Sequence, residues 1–375
     1  MEESLKEKRV RILMTTDTVG GVWTYSIELC RSLQPLGVCF YLITTGAPMQ
    51  PAQRRQVEEL DNVTVYETDF MLEWMENPWP SIDASGDWLL QLEEELEPDL
   101  VHINGFAYGS LPWKAPKIVV AHSDVFSWWI AVKGQWPPAE WNHYFERIQA
   151  GLQQADHIIA PSVAMMDQLR RIYSFDTPGQ VIYNWSNPEK FYRAGKEPVV
   201  FSMGRIWDEA KNIQLLLKAA PQIKAPIRLA GDHSFASNHC DLANTNISYL
   251  GKLPAHQIAA CLSTASVFVL PALYEPFGLS ALEAALSGCA LVLGNIDSLK
   301  EIWGESAIYV NGTDPQALAD TVNALMEGEP MRLQYAQRAA ERAKRYTSTA
   351  MAGQYKQVYT RLVQQKNLLL QQEIM

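Results

Sequence analysis

The sequence has 375 residues, of which 47% are hydrophobic and 19% are charged, and this composition excludes a disordered protein. The length is sufficient for two domains of ordinary size, and the net charge is −11. Residues 1–190 contain 14 Lys and Arg against 26 Asp and Glu. This acidic first half argues against binding to nucleic acid, and against binding to anionic lipid through charge, while contact with a membrane through apolar side chains stays open.

The five cysteines are scattered and include no C-x-x-C pair, which fits buried thiols in a reducing cytoplasm better than disulfides or a zinc site. The N-terminus is charged and runs directly into a strand, so we predict no signal peptide. No apolar run reaches the roughly 18 residues that a membrane span needs. We therefore expect a cytoplasmic protein without a transmembrane segment.

The first half alternates between predicted strands and helices. The first strand, at residues 10–16, leads into the loop D-T-V-G-G and a helix from about Val22. Gly20 and Gly21 lie at this turn, where the backbone can approach a ligand closely, although a tight turn alone also favours glycine. No G-x-G-x-x-G dinucleotide motif is present. Further strands are predicted at residues 38–44, 63–66, 98–104, 116–122, 157–160 and 180–183.

Two aromatic stretches interrupt this alternation. Residues 70–88 contain three Trp and two Pro, and we predict a long loop or flap over a cleft, with packing onto the core as the alternative. His102 and His122 end predicted strands, where a side chain can reach a crevice or serve the core. Trp128 and Trp129 follow closely, and we hypothesise that they and the 70–88 segment line an acceptor site.

The polar segment 186–198 is typical of a linker, after which the strand and helix alternation restarts. We predict an α/β protein with two doubly wound domains that face each other, at residues 1–190 and 191–348. A last helix, within residues 349–375, has apolar positions beyond the needs of the second domain. We expect this helix to cross back onto the first domain.

Two motifs of the second half carry the predicted chemistry. The loop M-G-R-I-W-D-E-A-K-N follows the domain's first strand and places Arg205 and Lys211 near a helix N-terminus, which suits a phosphate group. The segment P-A-L-Y-E-P-F-G-L-S-A-L-E places Glu275 in a loop and Glu283 in the following helix, where they can accept hydrogen bonds from sugar hydroxyls. We predict no metal site, because the nearest acidic pair, Glu67-Thr68-Asp69, lies in the other half.

These motifs resemble those of the retaining GT-B glycosyltransferases of family 4. The resemblance rests on the Gly20-Gly21 turn, on Gly204-Arg205 with Lys211, and on Glu275 and Glu283 separated by seven residues. It covers nearly the whole chain, with the motifs in the family's order and spacing. It implies two facing Rossmann-like domains with the first on the acceptor side and the second on the side of the nucleotide-sugar donor.

The resemblance also implies the roles of single residues. Arg205 and Lys211 would hold the diphosphate, Glu283 the ribose hydroxyls and Glu275 the donor sugar. His122 would lie near the donor sugar. Backbone amides would complete the donor site, and they belong to Phe277, Gly278 and Leu279 in the second domain and to Gly20 and Gly21 in the first.

The implied activity is that of a retaining hexosyltransferase that needs no metal or cofactor, because Arg205 and Lys211 stabilise the leaving phosphate. The donor would be a UDP- or GDP-sugar, and the acceptor a hydroxyl of a sugar, a lipid-linked compound or a small molecule. Synthesis of a bacterial surface polysaccharide, glycolipid or glycoside fits this activity. The alternatives are a nucleotide-sugar epimerase or hydrolase of the same fold, and a nucleotide-sugar-binding protein without turnover.

Three positions depart from the family pattern. Trp185 follows Asn184 where the family usually has glycine, and Gly231-Asp232-His233 lacks a second glycine. The predicted loop at residues 295–300 replaces a common Gly-Gly. These departures leave the recognised base and the donor sugar open.

Overall fold

The structure is a computed structural model that describes residues 9–232 and 246–374. Two sheets, each built from parallel strands, organise these residues. The strands of the first sheet are β1 (Val10–Asp17), β2 (Val38–Thr45), β3 (Val63–Glu67), β4 (Leu100–Ile103), β5 (Lys117–Val120), β6 (His157–Ala160) and β7 (Gly179–Val181). Those of the second sheet are β8 (Glu197–Met203), β9 (Ile227–Ala230), β10 (Ile247–Gly251), β11 (Ala265–Leu270), β12 (Ala290–Gly294) and β13 (Ile308–Val310).

Helices cover both faces of each sheet. The helices that belong to the first half of the chain are α1 (Gly21–Leu33), α2 (Pro51–Glu58), α3 (Trp79–Leu96), α4 (Val125–Lys133), α5 (Asn142–Gln154) and α6 (Val163–Tyr173). Those of the second half are α7 (Ile213–Ala219), α8 (Ala255–Thr264), α9 (Leu279–Leu286), α10 (Asp297–Trp303), α11 (Pro315–Glu327), α12 (Glu329–Ala343) and α13 (Ser348–Ile374). The predicted α/β class with two doubly wound sheets is confirmed. We call the first sheet with its helices the first domain, and the second sheet with its helices the second domain.

The strand order fixes where each domain can bind a ligand. The order is β3-β2-β1-β4-β5-β6-β7 in the first sheet and β10-β9-β8-β11-β12-β13 in the second. In each sheet the order of addition reverses between two central strands, β1 and β4 in the first and β8 and β11 in the second. Crevices form outside the carboxyl ends of strands at such a reversal. The loops that follow these four strands are therefore the expected site of binding.

The central strands are buried on both faces, which explains their continuous apolar sequence. Every residue of β4, β6 and β11 is buried. Parallel strands covered by helices on both sides have this composition, because neither face meets water. The buried strands hold the loops at their carboxyl ends in fixed positions.

Helix α13 follows the second domain in the chain but packs on the first. Tyr355 and Tyr359 are fully buried in the apolar cluster that also contains Ile12 of β1 and Leu29 of α1. Although α13 has 27 residues, no helix in the described ranges is both long and apolar enough to cross a bilayer. The face of α13 is instead an integral part of the core of the first domain.

The prediction of a loop or flap at residues 70–88 is wrong for its second half, because α3 begins at Trp79. Pro80 occupies the first turn of α3, where proline is tolerated because no intrahelical donor is needed there. Ile82, Leu89 and Leu92 then recur at helical spacing and are buried. Trp88 packs against this core, whereas Trp74, in the irregular part, is 46% exposed.

The three departures from the family pattern have different outcomes. Residues 295–300 are not only a loop, because α10 begins at Asp297 and buries Leu299 and Ile302. Trp185 has no positive φ and packs in the core of the first domain, so a glycine conformation is not used at this position. His233 lies outside the described residues.

Two glycines allow α5 to approach the turn after β4 very closely. A methyl group built on Gly151 would overlap the carbonyl oxygen of Phe106, and one on Gly109 would overlap the carbonyl oxygen of Gly151. We expect Gly151→Ala to lower the free energy of unfolding by at least about 2 kcal/mol, because overpacking exceeds the small gain in helix propensity. Urea unfolding measures this loss.

Gly353 provides the matched control, since it lies within α13 and a methyl group there would meet no atom within 4 Å. Gly353→Ala should stabilise the protein by up to about 1 kcal/mol through helix propensity. Equal stability of the two variants would contradict the close contact of α5.

Candidate functional site

The loop after β8 holds Arg205 through a buried carboxylate. The Nη2 of Arg205 lies 2.7 Å from the Oδ2 of Asp208, and the two side chains are 45% and 5% exposed. The Oδ1 of Asp208 accepts the amide of Ala210 at 3.0 Å, which fixes the carboxylate in the loop. Arg205 is therefore oriented by a rigid partner, while much of its guanidinium stays accessible to a ligand.

Lys211 and Glu275 form an ion pair between the two motif loops. The Nζ of Lys211 lies 2.5 Å from the Oε2 of Glu275, with the side chains 20% and 13% exposed. Asn212 fastens the same loops, because its Nδ2 donates to the carbonyl oxygens of Pro271 at 3.0 Å and Gly312 at 2.9 Å. Two residues predicted from separate motifs thus meet at the carboxyl ends of β8 and β11.

Glu275 also shapes the turn that starts α9. Its Oε1 accepts the amide of Gly278 at 3.0 Å, and the Oγ of Ser298 donates to its carbonyl oxygen at 2.5 Å. Gly278 has φ +89°, a conformation that favours glycine. The amide of Gly278, which was expected to face a ligand, is therefore already bonded. In the described part of the chain no group accepts the amides of Phe277 and Leu279, so these remain for a ligand.

Glu283 lies half-buried within α9, and burial raises its pKa to about 7, while the positive charge of Lys190 opposes this rise. Lys190 comes from the segment that joins the domains, and its Nζ lies 2.6 Å from the Oε1 of Glu28 on α1. Glu283 is thus a carboxyl group near the midpoint of its titration at neutral pH. A ligand that donates hydrogen bonds to it will favour the ionised form.

The loop after β1 brings the backbone of the first domain to the crevice. Gly20 has φ +96° and caps α1 without a side-chain hydrogen bond. Methyl groups on Gly20 or Gly21 would meet no atom within 4 Å, so open space lies beside both residues. The first amides of α1 therefore point to a space that an anionic group can enter.

Asp17, the last residue of β1, borders this loop and was not indicated by the sequence motifs. Its Oδ1 accepts the amide of Val19 at 3.0 Å. Burial raises the pKa of Asp17 to about 7, and the charge of Arg205 in the other domain opposes this rise. The charge of Arg205, in the loop after β8, is therefore felt at the end of β1.

His122 lies beyond β5 on the side of the first domain. Its Nε2 is 2.8 Å from the Oδ1 of Asn104, and its ring packs edge-on against Tyr25 with centroids 4.5 Å apart. Burial lowers the pKa of His122 to about 3, so the imidazole is neutral at physiological pH. Asn104 was missed as a functional candidate, although it follows β4 at the reversal of the sheet.

Contacts between the domains surround the crevice. The Nε1 of Trp128 donates to the Oδ1 of Asp208 at 3.1 Å, and the Oγ of Ser162 donates to the carbonyl oxygen of Pro276 at 2.7 Å. The carboxylate of Glu301 accepts the amides of Val163 at 2.8 Å and Ala164 at 2.9 Å, at the N-terminus of α6. Trp128, which is predicted to line an acceptor site, contacts the loop that holds Arg205.

We expect Trp128→Phe to lower kcat/KM on the order of tenfold, because a hydrogen bond to a charged group contributes roughly 1.5–3 kcal/mol. The substitution keeps an aromatic ring but removes the donor that fixes Asp208, and with it the position of Arg205. Trp136→Phe is the matched control, since Trp136 is 57% exposed and contacts the rings of Phe126 and Phe145. Equal rates for both variants, measured at steady state, would contradict this role.

The raised pKa of Glu283 predicts a pH dependence of donor binding. Through Glu283, a nucleotide sugar whose hydroxyls donate to this carboxylate should bind up to about tenfold more weakly at pH 6 than at pH 8, because only about one carboxyl in eleven is ionised one unit below its pKa. The ionisation of Asp17 has the opposite effect on the pH dependence of donor binding, since a bound diphosphate favours the neutral form of this carboxyl. Glu283→Gln should therefore abolish or invert the slope seen by calorimetry, and an unchanged slope would exclude Glu283.

Two family models match consecutive parts of the chain. The model described as Glycosyltransferase Family 4 matches residues 19–190, and the model described as Glycosyl transferases group 1 matches residues 184–342. The first match contains the Gly20-Gly21 turn and His122. The second contains both charged motifs. The two domains of the structure thus correspond to two glycosyltransferase domains.

Among curated relatives, the D-inositol 3-phosphate glycosyltransferase of Corynebacterium glutamicum is 24% identical over 94% of this chain and 94% of its own. The alpha-maltose-1-phosphate synthase of Mycolicibacterium smegmatis is 25% identical over 68% of this chain and 75% of its own. These relatives transfer or build sugars according to their names. Their similarity extends over most of the chain.

Solved structures with the same fold include sucrose-phosphate synthase from Thermosynechococcus elongatus. Its TM-score is 0.79 at 18% identity, over 94% of this chain and 99% of that chain. HepE from Anabaena in complex with UDP-glucose has a TM-score of 0.73 at 18% identity, over 93% and 99%. Together with the two matched domains, this shared architecture shows that the chain belongs to the glycosyltransferases of the GT-B fold.

Proposed function

We propose that the protein is a metal-independent, retaining hexosyltransferase that moves a sugar from a UDP- or GDP-sugar to a hydroxyl acceptor. The observation that carries this proposal is the convergence of Arg205, Lys211 and Glu275 where the central strands of the second sheet end. A lysine in contact with a carboxylate that can accept hydrogen bonds from sugar hydroxyls, with an arginine in the same loop as the lysine, fits a diphosphate joined to a sugar. The complex of Anabaena HepE with UDP-glucose supports a nucleotide-sugar donor.

The ion pair of Lys211 and Glu275 suggests how the donor is received. Each member holds the other in place, so neither has to be ordered when the donor binds. When the donor binds, Lys211 pairs with the diphosphate. A sugar hydroxyl then replaces Lys211 as the hydrogen-bond partner of Glu275. Arg205, which is 45% exposed, adds the second cation. The exchange leaves each charged group with a partner throughout, which limits the cost of desolvation.

In the proposed reaction, the acceptor oxygen forms a bond to the anomeric carbon on the face from which the diphosphate departs. The bond between that carbon and the diphosphate oxygen breaks, and the departing oxygen takes the proton of the acceptor hydroxyl. Arg205 and Lys211 stabilise the negative charge that grows on the diphosphate. The chain then needs neither an enzymic nucleophile nor a metal for charge compensation, and the configuration of the anomeric carbon is retained.

The second domain binds the donor in this proposal, and the first domain binds the acceptor. Glu283 receives the ribose hydroxyls, the amides of Phe277 and Leu279 meet the phosphates, and Gly20 and Gly21 approach the diphosphate from the first domain. His122 lies by the donor sugar. The acceptor is a sugar, a lipid-linked compound or a small molecule, and the protein acts in the cytoplasm.

A screen of nucleotides and nucleotide sugars by thermal shift tests the donor, because a ligand that binds the native state at 100 times its Kd adds about 2.7 kcal/mol of stability. We expect UDP or GDP and one of their sugars to raise the Tm. NMR of the product then reads the anomeric configuration, and EDTA should leave the rate unchanged.

Other results would contradict the proposal. An epimerised donor, or stoichiometric free sugar in the absence of acceptor, indicates an epimerase or hydrolase. Tight donor binding with no product from any class of hydroxyl acceptor indicates a binding protein. An inverted product excludes the retaining mechanism, and a rate that EDTA abolishes excludes metal independence.

A further inference from the structure

Asn104 lies behind His122, and its amide has one orientation. The Nδ2 of Asn104 donates to the carbonyl oxygen of Thr15 at 2.8 Å and to the Oγ of Ser26 at 3.3 Å. A carbonyl oxygen can only accept a hydrogen bond, so the nitrogen of the amide must face Thr15. The amide of the Asn104 backbone also donates to the Oγ1 of Thr15 at 3.0 Å. The side-chain oxygen therefore points the other way.

That oxygen lies within hydrogen-bond distance of two histidines. The Oδ1 of Asn104 lies 2.8 Å from the Nε2 of His122 and 3.1 Å from the Nε2 of His102. Since Oδ1 carries no proton, both Nε2 atoms must carry one to form these hydrogen bonds. A single amide oxygen thus determines which nitrogen carries the proton in both imidazole rings.

The second nitrogen of each ring then follows from the charge. Burial lowers the pKa of both His102 and His122 to about 3, so each neutral ring has one proton, on Nε2. The Nδ1 of His102 is consequently an acceptor, and the hydroxyl of Tyr359 on α13 lies 2.7 Å from it. Burial also keeps the Tyr359 hydroxyl protonated, by raising its pKa, so it can donate this hydrogen bond. Every proton in the row from Tyr359 to His122 is accounted for.

We propose that Asn104 is a positioning residue that holds His122 as the Nε2–H tautomer, so that its Nδ1 meets the donor sugar as a hydrogen-bond acceptor only. Within residues 9–232 and 246–374 no group bonds to the Nδ1 of His122. The inference rests on the proposed function, which places a donor sugar beside His122. Such a nitrogen accepts a hydrogen bond from a hydroxyl and repels a carboxylate. The site therefore favours a neutral hexose over a hexuronic acid as the transferred group.

Helix α13 completes this arrangement. Tyr359 fixes His102 from behind, and Tyr355 stacks on the His102 ring with centroids 5.7 Å apart. The hydroxyl of Tyr25 on α1 donates to the hydroxyl of Tyr355 at 2.5 Å. The titratable groups that face His122 are Tyr25 and, across Asn104, His102. The last helix therefore supports the row of hydrogen bonds that ends at the donor site.

NMR of the nitrogen-15-labelled imidazoles tests the tautomer on the intact protein without a donor. His122→Gln identifies the His122 signals by their loss. We expect a protonated Nε2 and an unprotonated Nδ1 that persist from pH 8 to pH 5. A proton on Nδ1, or an imidazolium above pH 5, would overturn the proposal. Because this spectrum needs no turnover, it is independent of whether the protein transfers sugar.

A substitution that adds a charge at residue 104 tests whether Asn104 positions His122 or only supports the structure. Asn104→Asp keeps the size and the accepting oxygen but adds a negative charge, which raises a neighbouring histidine pKa by roughly 1–3 units. The ionisation of His122 then falls between about pH 4 and pH 6. We expect kcat/KM relative to the parent protein to fall by up to about tenfold at pH 5, the value for an ionisation near pH 6, and to recover to within about threefold at pH 8. A ratio that does not change with pH would leave Asn104 a structural residue only.

Asn323→Asp is the matched control. Asn323 likewise donates through its Nδ2 to a backbone carbonyl, that of Gln222 at 2.8 Å, but on the second domain far along the chain from the histidines. This variant should match the parent protein at both pH values. If the thermal-shift screen selects UDP, transfer from UDP-glucose should also exceed transfer from UDP-glucuronate, and equal measurable rates for the two would contradict the preference for a neutral sugar.

Discussion

Lys211→Ala is expected to lower kcat/KM for sugar transfer by at least about 100-fold, the usual cost of removing an electrostatic contact from a preorganised site. The Nζ of Lys211 lies 2.5 Å from Glu275, so the side chain is already held where the diphosphate is proposed to bind. Without it, Arg205 alone compensates the departing charge. Steady-state kinetics at saturating acceptor measures the loss, and unchanged thermal stability shows that the variant is folded.

Lys224→Ala is the matched control for this prediction. Lys224 forms an ion pair of the same kind in the second domain, with its Nζ 2.6 Å from Glu327, but both side chains are exposed. Exposed pairs contribute little to stability, and this one is remote from the carboxyl ends of β8 and β11. The control should retain the parent rate. Near-normal turnover of Lys211→Ala would remove Lys211 from the proposed mechanism.

Glu275→Gln should cost a similar factor, on the order of 100-fold in kcat/KM. Glutamine keeps the length of the side chain and an oxygen for the amide of Gly278, so the turn that starts α9 is preserved. It loses the charge that orients Lys211 and that accepts the sugar hydroxyl. The corresponding control is Glu327→Gln, which removes the charge from the exposed pair with Lys224.

A double variant decides whether Lys211 and Glu275 act together. If each holds the other for the donor, Lys211→Ala combined with Glu275→Gln should cost much less than the product of the two single losses. Residues in contact typically show coupling energies of about 0.5–3 kcal/mol in such cycles. Strictly multiplicative losses would indicate that the pair in the structure has no part in receiving the donor.

The sequence predicted those features that local patterns determine. Apolar runs such as 157–160 predicted strands, and the charged motifs placed Lys211 and Glu275 in loops. The sequence did not predict that Lys211 and Glu275 contact each other. It predicted only that both lie at one ligand site. Their contact follows from the strand order, in which β8 and β11 are neighbours although 61 residues separate Met203 from Ala265 along the chain.

Features that depend on contacts remote in sequence could not be predicted. His102 and Tyr359 are 257 residues apart, and nothing near either one indicates that they share a hydrogen bond. Asn104 was overlooked because its role depends on this bond and on the carbonyl oxygen of Thr15 in β1. The start of α3 was missed for a local reason, since the two prolines within residues 70–88 favoured a loop, although proline suits a first helical turn.

The position of α13 has a consequence for how the protein folds during its synthesis on the ribosome. Domains generally fold as units in the order of their synthesis. The first domain cannot follow this rule completely, because Tyr355 and Tyr359 join its core only after every strand of the second sheet has been made. Until then the side of its sheet that α13 covers remains open, and His102 lacks its partner. The second domain is thus finished before the domain that supports His122.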